Sequence, residues 1–255
     1  MAARCLDEMV PRAIQLASEL GVAGLLFDAR HQLRPEALSE TGRRQLLHRL
    51  EKAGLSVAGL TFPLRHRLYD LELLDQRIAA LKNVLAFSFQ LRAPLVTLPL
   101  GGVPDSASDD FGLAVEVLND LAAHANRVGA LIALNVSHEP PAAVRNLLGR
   151  VSAGPVAINF QPDQIILAGR DPEEQFRALY RDVQHVVVRD VVRDGTAGGE
   201  ETPLGRGEVD WETLLQLLDE ASYRGWLTLE RRSGPDVVGD LSNAVAYLRR
   251  LERGD

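Results

Sequence analysis

The chain has 255 residues, 46% hydrophobic and 25% charged, with 21 glycines, which is the composition of a folded globular protein and excludes a disordered or low-complexity one. The net charge of −7, with no block of basic residues, argues against a nucleic-acid partner. One cysteine, Cys5, excludes an internal disulfide framework and a cysteine-rich zinc module. No stretch approaches the roughly 18 uninterrupted apolar residues of a membrane span, so no membrane partner is expected. No basic segment followed by an apolar run opens the chain, and the cytoplasm is the expected location. Of the 28 basic residues only Lys52 and Lys82 are lysine, so a single arginine carries little weight by itself.

In chain order, residues 9–20 carry a helical pattern with no convincing strand ahead of them. Short apolar, often β-branched runs then follow at 22–28, 56–62, 95–99, 130–135, 156–161, 185–190 and 226–230, each after a glycine, proline or polar break. Between them lie segments with apolar residues at helical spacing, such as Leu113, Val117, Leu118 and Leu121, or Leu214, Leu217 and Leu218. Asp210 before Trp211 reads as an N-cap, Pro172 after Asp171 as a first helical turn, and Gly54, Gly129 and Gly225 as breaks before strands. Strict strand–helix alternation implies a parallel sheet covered by helices.

Two architectures compete for such a pattern, a (β/α)8 barrel and an open doubly wound sheet. No Gly-x-Gly-x-x-Gly follows the first strand, and the even repeat of the units favours the TIM-type barrel. Residues 1–255 then form a single barrel domain whose first strand is absent, short or displaced. Reactive groups of a barrel gather where strands end. Those ends supply Asp28 and Arg30, Phe62 and Arg65, Gly101 and Gly102, Asn135 and His138, Gln161 and Gln164, Arg189 and Asp190, and Glu230 with Arg232. Period-two alternation turns Thr228 with Glu230, and Asn159 with Gln161, toward the same side.

Three pieces of the tail carry a family resemblance. His185-Val186-Val187-Val188-Arg189-Asp190 resembles a His-Val-His-x-Lys/Arg-Asp strand, and Pro203-Leu204-Gly205-Arg206-Gly207-Glu208-Val209-Asp210-Trp211 a Pro-x-Gly-x-Gly-x-Val-Asp-Trp loop. Tyr223-Arg224-Gly225-Trp226-Leu227-Thr228-Leu229-Glu230 resembles a Tyr-x-Gly-x-x-x-x-Glu strand. These are motifs of the xylose isomerase-like TIM barrels, the sugar phosphate isomerases/epimerases. The resemblance implies a divalent metal held by Glu, Asp, His and Glu on strands five to eight, the glutamates doubling as an acid/base pair. Carried over position by position, those ligands fall on Asn135, Gln161, Val187 and Glu230, and a nearby family histidine or asparagine falls on Gln164. Three of the four usual donors are replaced. A hard cation needs several oxygen or imidazole donors with negative charge, so no metal cofactor is expected, with at most a weakly held divalent ion beside Glu230.

The resulting expectation is a sugar phosphate isomerase/epimerase-like protein that acts on or binds a sugar, a sugar phosphate or a related polyol with the metal site largely lost. Its alternative is a non-catalytic ligand-binding or interaction protein on the same barrel. Glu230 is the candidate catalytic residue, weighed against a carboxylate paired with Arg189 or Arg232. Asn135, Gln161, Gln164, Arg189, Arg206 and Arg232 are the candidate substrate-binding residues. His185 reads as an internal hydrogen-bonding residue, Asp190 as an organiser of the following loop through Arg206, and His138 as an exposed loop histidine. Arg30 and Arg65 add to the arginines that could attract an anion, and Phe62, Trp211 and Trp226 could stack on a sugar or pack in the core. The expected partner is a small sugar-like molecule, with a homo-oligomer left open.

Overall fold

The β-branched runs form parallel strands: β1 (Gly24–Asp28), β2 (Ser56–Thr61), β3 (Leu95–Pro99), β4 (Leu131–Val136), β5 (Val156–Phe160), β6 (Val183–Val188) and β9 (Trp226–Leu229). They pair in the order β1-β2-β3-β4-β5-β6-β9, and helices cover the outside. The computed structural model describes residues 1–195 and 198–253. The nearly closed seven-stranded sheet is a TIM-type barrel, and the short first strand expected from the sequence is a two-residue stub. Ala2 bridges Leu26 of β1 in parallel, its N–H donates to the Leu229 carbonyl at 2.9 Å, and Leu26 N–H donates to the Met1 carbonyl at 2.9 Å. Met1 and Ala2 thus stand between the two edges, and the chain turns at once into α1 (Ala3–Leu6) and α2 (Val10–Glu19).

The remaining layer is α3 (Glu40–Lys52), α4 (Leu74–Gln90), α5 (Asp109–Val128), α6 (Pro141–Arg150), α7 (Pro162–Leu167), α8 (Pro172–Leu179), α9 (Trp211–Glu220) and α10 (Val237–Arg253). The expected cap Asp210 accepts from Thr213 N–H, and Asp171, ahead of Pro172 in the first turn of α8, accepts from Glu173 N–H and Glu174 N–H. Gly225 directly precedes β9, as its spacing suggested; a Cβ there would meet the Tyr223 hydroxyl and lie 2.5 Å from the Gln184 carbonyl, so the close approach of β6 requires glycine. One element escaped the sequence reading, an antiparallel hairpin of β7 (Asp190–Arg193) and β8 (Gly199–Thr202) after β6. It is too short and too polar to show a strand period.

The main core lies between sheet and helices, with Phe27, Leu60, Leu98, Ile132, Phe160 and Trp211 among its buried side chains. A separate cluster of Leu95, Ala133 and Ala157, with Leu131 against it, fills the lumen. Polar residues sit above that apolar plug, toward the strands' C-terminal ends, where the site is built. No helix among the described residues is long and apolar enough to cross a membrane.

Candidate functional site

Because the stub takes the first position, the family's strands five to eight are β4, β5, β6 and β9. Asn135, Asn159, His185 and Thr228 meet inside the barrel, as the period-two alternation of their strands requires. His185 is fully buried; its Nδ1 lies 2.7 Å from Asn159 Oδ1 and its Nε2 lies 2.8 Å from the Thr228 hydroxyl. Burial pushes its imidazole down to about 3, so the ring is neutral. The amide oxygen can only accept, which assigns the proton to Nδ1 and makes Thr228 the donor to Nε2. Asn159 Nδ2 then donates to Asn135 Oδ1 at 2.8 Å. The chain of bonds runs from a hydroxyl through imidazole and amide to the half-buried Asn135 at the mouth.

Charge lies above this neutral layer. Glu230 Oε2 accepts from Nε and Nη2 of Arg232 at 3.0 and 2.7 Å, and Arg189 Nη1 stands 3.5 Å from the same oxygen. Arg189, 5% exposed, donates to Asp163 Oδ2 from Nε at 2.6 Å and also from Nη2. Asp163 also accepts from Gln164 Nε2 at 2.7 Å, while its buried Oδ1 has no partner among the described residues. Glu230, Arg189 and Arg232 are thus brought together, and Gln164 joins them through Asp163. Gln161, buried at the end of β5, makes no side-chain cap bond to α7. Asp163 was missed by sequence reasoning, although it lies between Gln161 and Gln164 in the first turn of α7, where a carboxylate is favoured.

The facing wall comes from the start of the chain and from β1. Arg4 Nη1 donates to Asp28 Oδ2 at 2.9 Å, and Asp28 Oδ1 accepts the Arg30 and His31 N–H groups at 2.7 and 2.9 Å. A cavity of about 550 Å³ opens between the walls, lined among others by Arg4, Cys5, Asp28, Thr61, Glu230 and Arg232. Burial pushes the Cys5 thiol up to about 11, so it stays protonated. Neither Arg4 nor Cys5 was foreseen, because their place depends on α1 starting directly after Ala2. The β7–β8 hairpin is tied to this wall: Glu201 accepts the Arg232 N–H at 2.8 Å and lies 3.6 Å from Arg231, which donates to Asp240 at 2.8 Å.

Asp190 does organise the following loop, through backbone groups. Its two oxygens accept N–H bonds from Val191 at 3.0 Å, Gly205 at 2.9 Å, Gly207 at 3.0 Å and Val209 at 3.2 Å. Burial pushes its carboxyl up from the usual range, and those N–H groups pull the other way. A side chain on Gly207 would collide with Asp190, which explains the glycine. Arg206 is exposed, and no described side-chain bond joins it to Glu230 or to Asp190. His138 is 65% exposed beside Ser137 and Glu139. Trp211 packs in the core, Trp226 lies against Gly24 at the opposite end of the barrel, and Arg30 and Arg65 line a different cavity.

Comparison with known proteins gives this architecture its place. Residues 14–251 match the family described as Xylose isomerase-like TIM barrel, and the chain belongs to that family. The xylose isomerase domain protein of Planctomyces limnophilus superposes with a TM-score of 0.86 at 27% identity, covering 94% of this chain and 92% of that one. A xylose isomerase-like TIM barrel protein of Mycobacterium smegmatis in complex with magnesium gives a TM-score of 0.76 at 19% identity, over 94% and 86% of the two chains. The inosose dehydratase of Clostridium botulinum is 24% identical over 104 residues, so the match spans 35% of this chain and 35% of that relative's length.

At the positions that the resemblance assigns to metal ligands stand Asn135, Gln161, Val187 and Glu230. Asn135 and Gln161 offer neutral amides, and the Asn135 oxygen is already an acceptor. Val187 is buried and offers no donor, and Glu230 already contacts two guanidinium groups. Among the described residues no three His, Cys, Asp or Glu side chains are grouped so that they could hold a metal ion.

Proposed function

We propose that this protein binds a sugar, a sugar phosphate or a related polyol at the barrel mouth and acts there as an isomerase/epimerase-like protein without a resident divalent metal. The observation that carries this reading is the place of Glu230 on the wall of a 550 Å³ cavity; its Oε2 forms the ion pairs with Arg189 and Arg232 that the sequence offered as the alternative to catalysis. Its Oε2 is engaged while Oε1 has no hydrogen-bond partner among the described residues, so it can accept from a ligand hydroxyl. Arg4 and Arg232, each with unspent N–H groups, supply donors to the same space. A polyol both donates and accepts, and this lining does the same. The relatives named inosose dehydratase support a small-molecule ligand of this class.

A non-catalytic binding protein is the second reading, and Asn135 favours it. Moving a proton beside a carbonyl uses a second acid/base group, and an amide cannot take up that proton near neutral pH. A panel of aldoses, ketoses and cyclic polyols, screened by ligand-observed NMR in deuterated buffer with chelator, tests both readings. Binding by the natural chain and its loss by about tenfold or more in Glu230→Gln is the expected result. Deuterium incorporation beside the carbonyl selects the enzyme, and binding without it selects the binding protein. Absence of binding across the panel overturns the proposal, and about one tightly held metal ion per chain in elemental analysis overturns its metal-independent part.

A further inference from the structure

A second cavity, of about 560 Å³, lies on the outer side of the same strand ends. Alternation divides the residues: Asp28, Thr61 and Pro63 line the mouth, whereas Ala29, Phe62 and Leu64 line this space, toward α4. Separate segments send guanidinium groups into it: Arg30 after β1, Arg34 before the turn Pro35–Ala37, Arg65 after β2 and Arg77 from α4. Arg77 is spent on the wall itself, donating to the carbonyls of Leu68, Asp70 and Glu72 at 3.3, 2.7 and 2.7 Å.

The other three retain donors. Arg30 lies over the Phe62 ring, 5.6 Å from its centroid, and gives one Nη1 bond to the Pro63 carbonyl at 2.9 Å. That fixes the guanidinium plane and leaves its remaining N–H groups. Arg34 and Arg65 are exposed and have no side-chain hydrogen bond or ion pair among the described residues. Glu36 and Glu72 also line the cavity, and neither forms an ion pair with these arginines. Four guanidinium groups therefore face two carboxylates in a chain of net charge −7. Three of these arginines, from the loops after β1 and β2, line one cavity without a carboxylate partner among the described residues.

Guanidinium forks match phosphate oxygens, and the planar Arg30 guanidinium over Phe62 has Leu64 and Ala80 beside it in the lining. We infer that this outer cavity binds a phosphate ester with a planar or apolar body, the phosphate among Arg30, Arg34 and Arg65 and the body against the Phe62–Arg30 face. The site is independent of the mouth and of the activity proposed there.

Calorimetric titration of the full chain with AMP, inorganic phosphate and adenosine tests it. AMP should bind saturably and more weakly as salt is raised, with phosphate and adenosine each weaker by about tenfold or more. The double variant Arg34→Ala/Arg65→Ala, which alters only exposed side chains and whose fold circular dichroism confirms, should lose AMP affinity by about tenfold or more. Phe62→Leu should weaken AMP more than phosphate, and Glu230→Gln should leave AMP unaffected. No saturable AMP binding at millimolar ligand overturns the inference, as does unchanged affinity in the double variant. Phosphate binding as tight as AMP overturns the assignment of an ester body, and loss of AMP binding in Glu230→Gln would move the ligand to the mouth and overturn the outer site.

Discussion

Two layers of polar side chains lie one above the other in this barrel, and they differ in charge. In the lumen, Thr228, His185, Asn159 and Asn135 are uncharged, and each donor on the chain of bonds meets an acceptor. At the mouth, Asp163, Arg189, Glu230 and Arg232 alternate in sign, so every charge touches an opposite one. The neutral layer has offset its burial by hydrogen bonds worth about 1 kcal/mol net each, and it gains nothing from opening to solvent. The charged layer is costly to bury and costlier to leave half-made, so it keeps an exposed end: Arg232 is 59% exposed, against 5% for Arg189 and 0% for Asp163. In the proposed function a ligand is met at that graded end. The neutral layer beneath holds the strands in register.

The largest expected effect comes from breaking the charged layer at its buried end. Asp163→Ala removes the acceptor of two Arg189 bonds, and it should cost about 3–5 kcal/mol in urea unfolding, with Arg189→Met in the same chain recovering part of the loss. A cost below about 1 kcal/mol would mean that Glu230 alone satisfies the guanidinium. The neutral layer should fail through acid instead. His185 sits at about 3 in the folded protein, below its unfolded value of about 6.5, so the unfolded chain binds the extra proton between those limits. Stability from this group is complete above about pH 6.5 and falls as pH drops, by roughly 3 kcal/mol at about pH 4.5. Unfolding measured against pH in the natural chain and in His185→Gln should differ by that slope. Parallel profiles would show that the buried ring takes up its proton without penalty.

Most of the barrel was legible because the core strands are short apolar runs, often β-branched, bounded by breaks, and every one of the seven expected runs contains or overlaps an observed strand. The inward turn of Asn159 and Thr228 follows from the strand period alone. Glu230 with Arg189 and Arg232 was legible as a pairing, since all three stand at strand ends that share the mouth. What could not be read has a common cause: long-range closure. The stub at Ala2 is recognisable only from its bonds to Leu26 and Leu229, and the Arg4–Asp28 pair depends on it. Asp163 is invisible as a partner until α7 folds back toward β6. The β7–β8 hairpin is held by Asp190 and Glu201, whose bonds to the Gly205 and Arg232 N–H groups span 15 and 31 positions and leave no periodic trace.

A middle-sized effect separates the loop from both layers. Asp190→Ala leaves four N–H groups, those of Val191, Gly205, Gly207 and Val209, without their shared acceptor. The cost should be about 2–3 kcal/mol, less than for Asp163 because water can reach part of this loop. Hydrogen exchange should quicken at Gly205, Gly207 and Val209 while the lumen amides stay protected. Uniform quickening across the barrel would show that Asp190 supports the sheet as well as the loop.

The smallest effect is expected at Arg206, and it sharpens the comparison most directly. Arg206 is a substrate-binding candidate as one of the arginines that could attract an anionic ligand, and it sits inside the glycine-rich loop motif. In the folded chain that motif is a backbone device: Gly205 and Gly207 bring their N–H groups to Asp190, and Gly207 must lack a side chain to do so. The Arg206 side chain points to no described partner and lies exposed. Arg206→Ala should therefore change stability by less than about 0.5 kcal/mol and leave polyol binding at the mouth unaltered. Arg232→Ala, which frees Glu230 Oε2 from two bonds at the ligand-facing end, should weaken the same binding by about tenfold. Equal losses in the two variants, measured with the same polyol, would mean that the loop after β8 closes over the bound ligand and adds Arg206 to the charged layer. The graded chain from Asp163 to Arg232 would then continue through the ligand, with Arg206 as its far end.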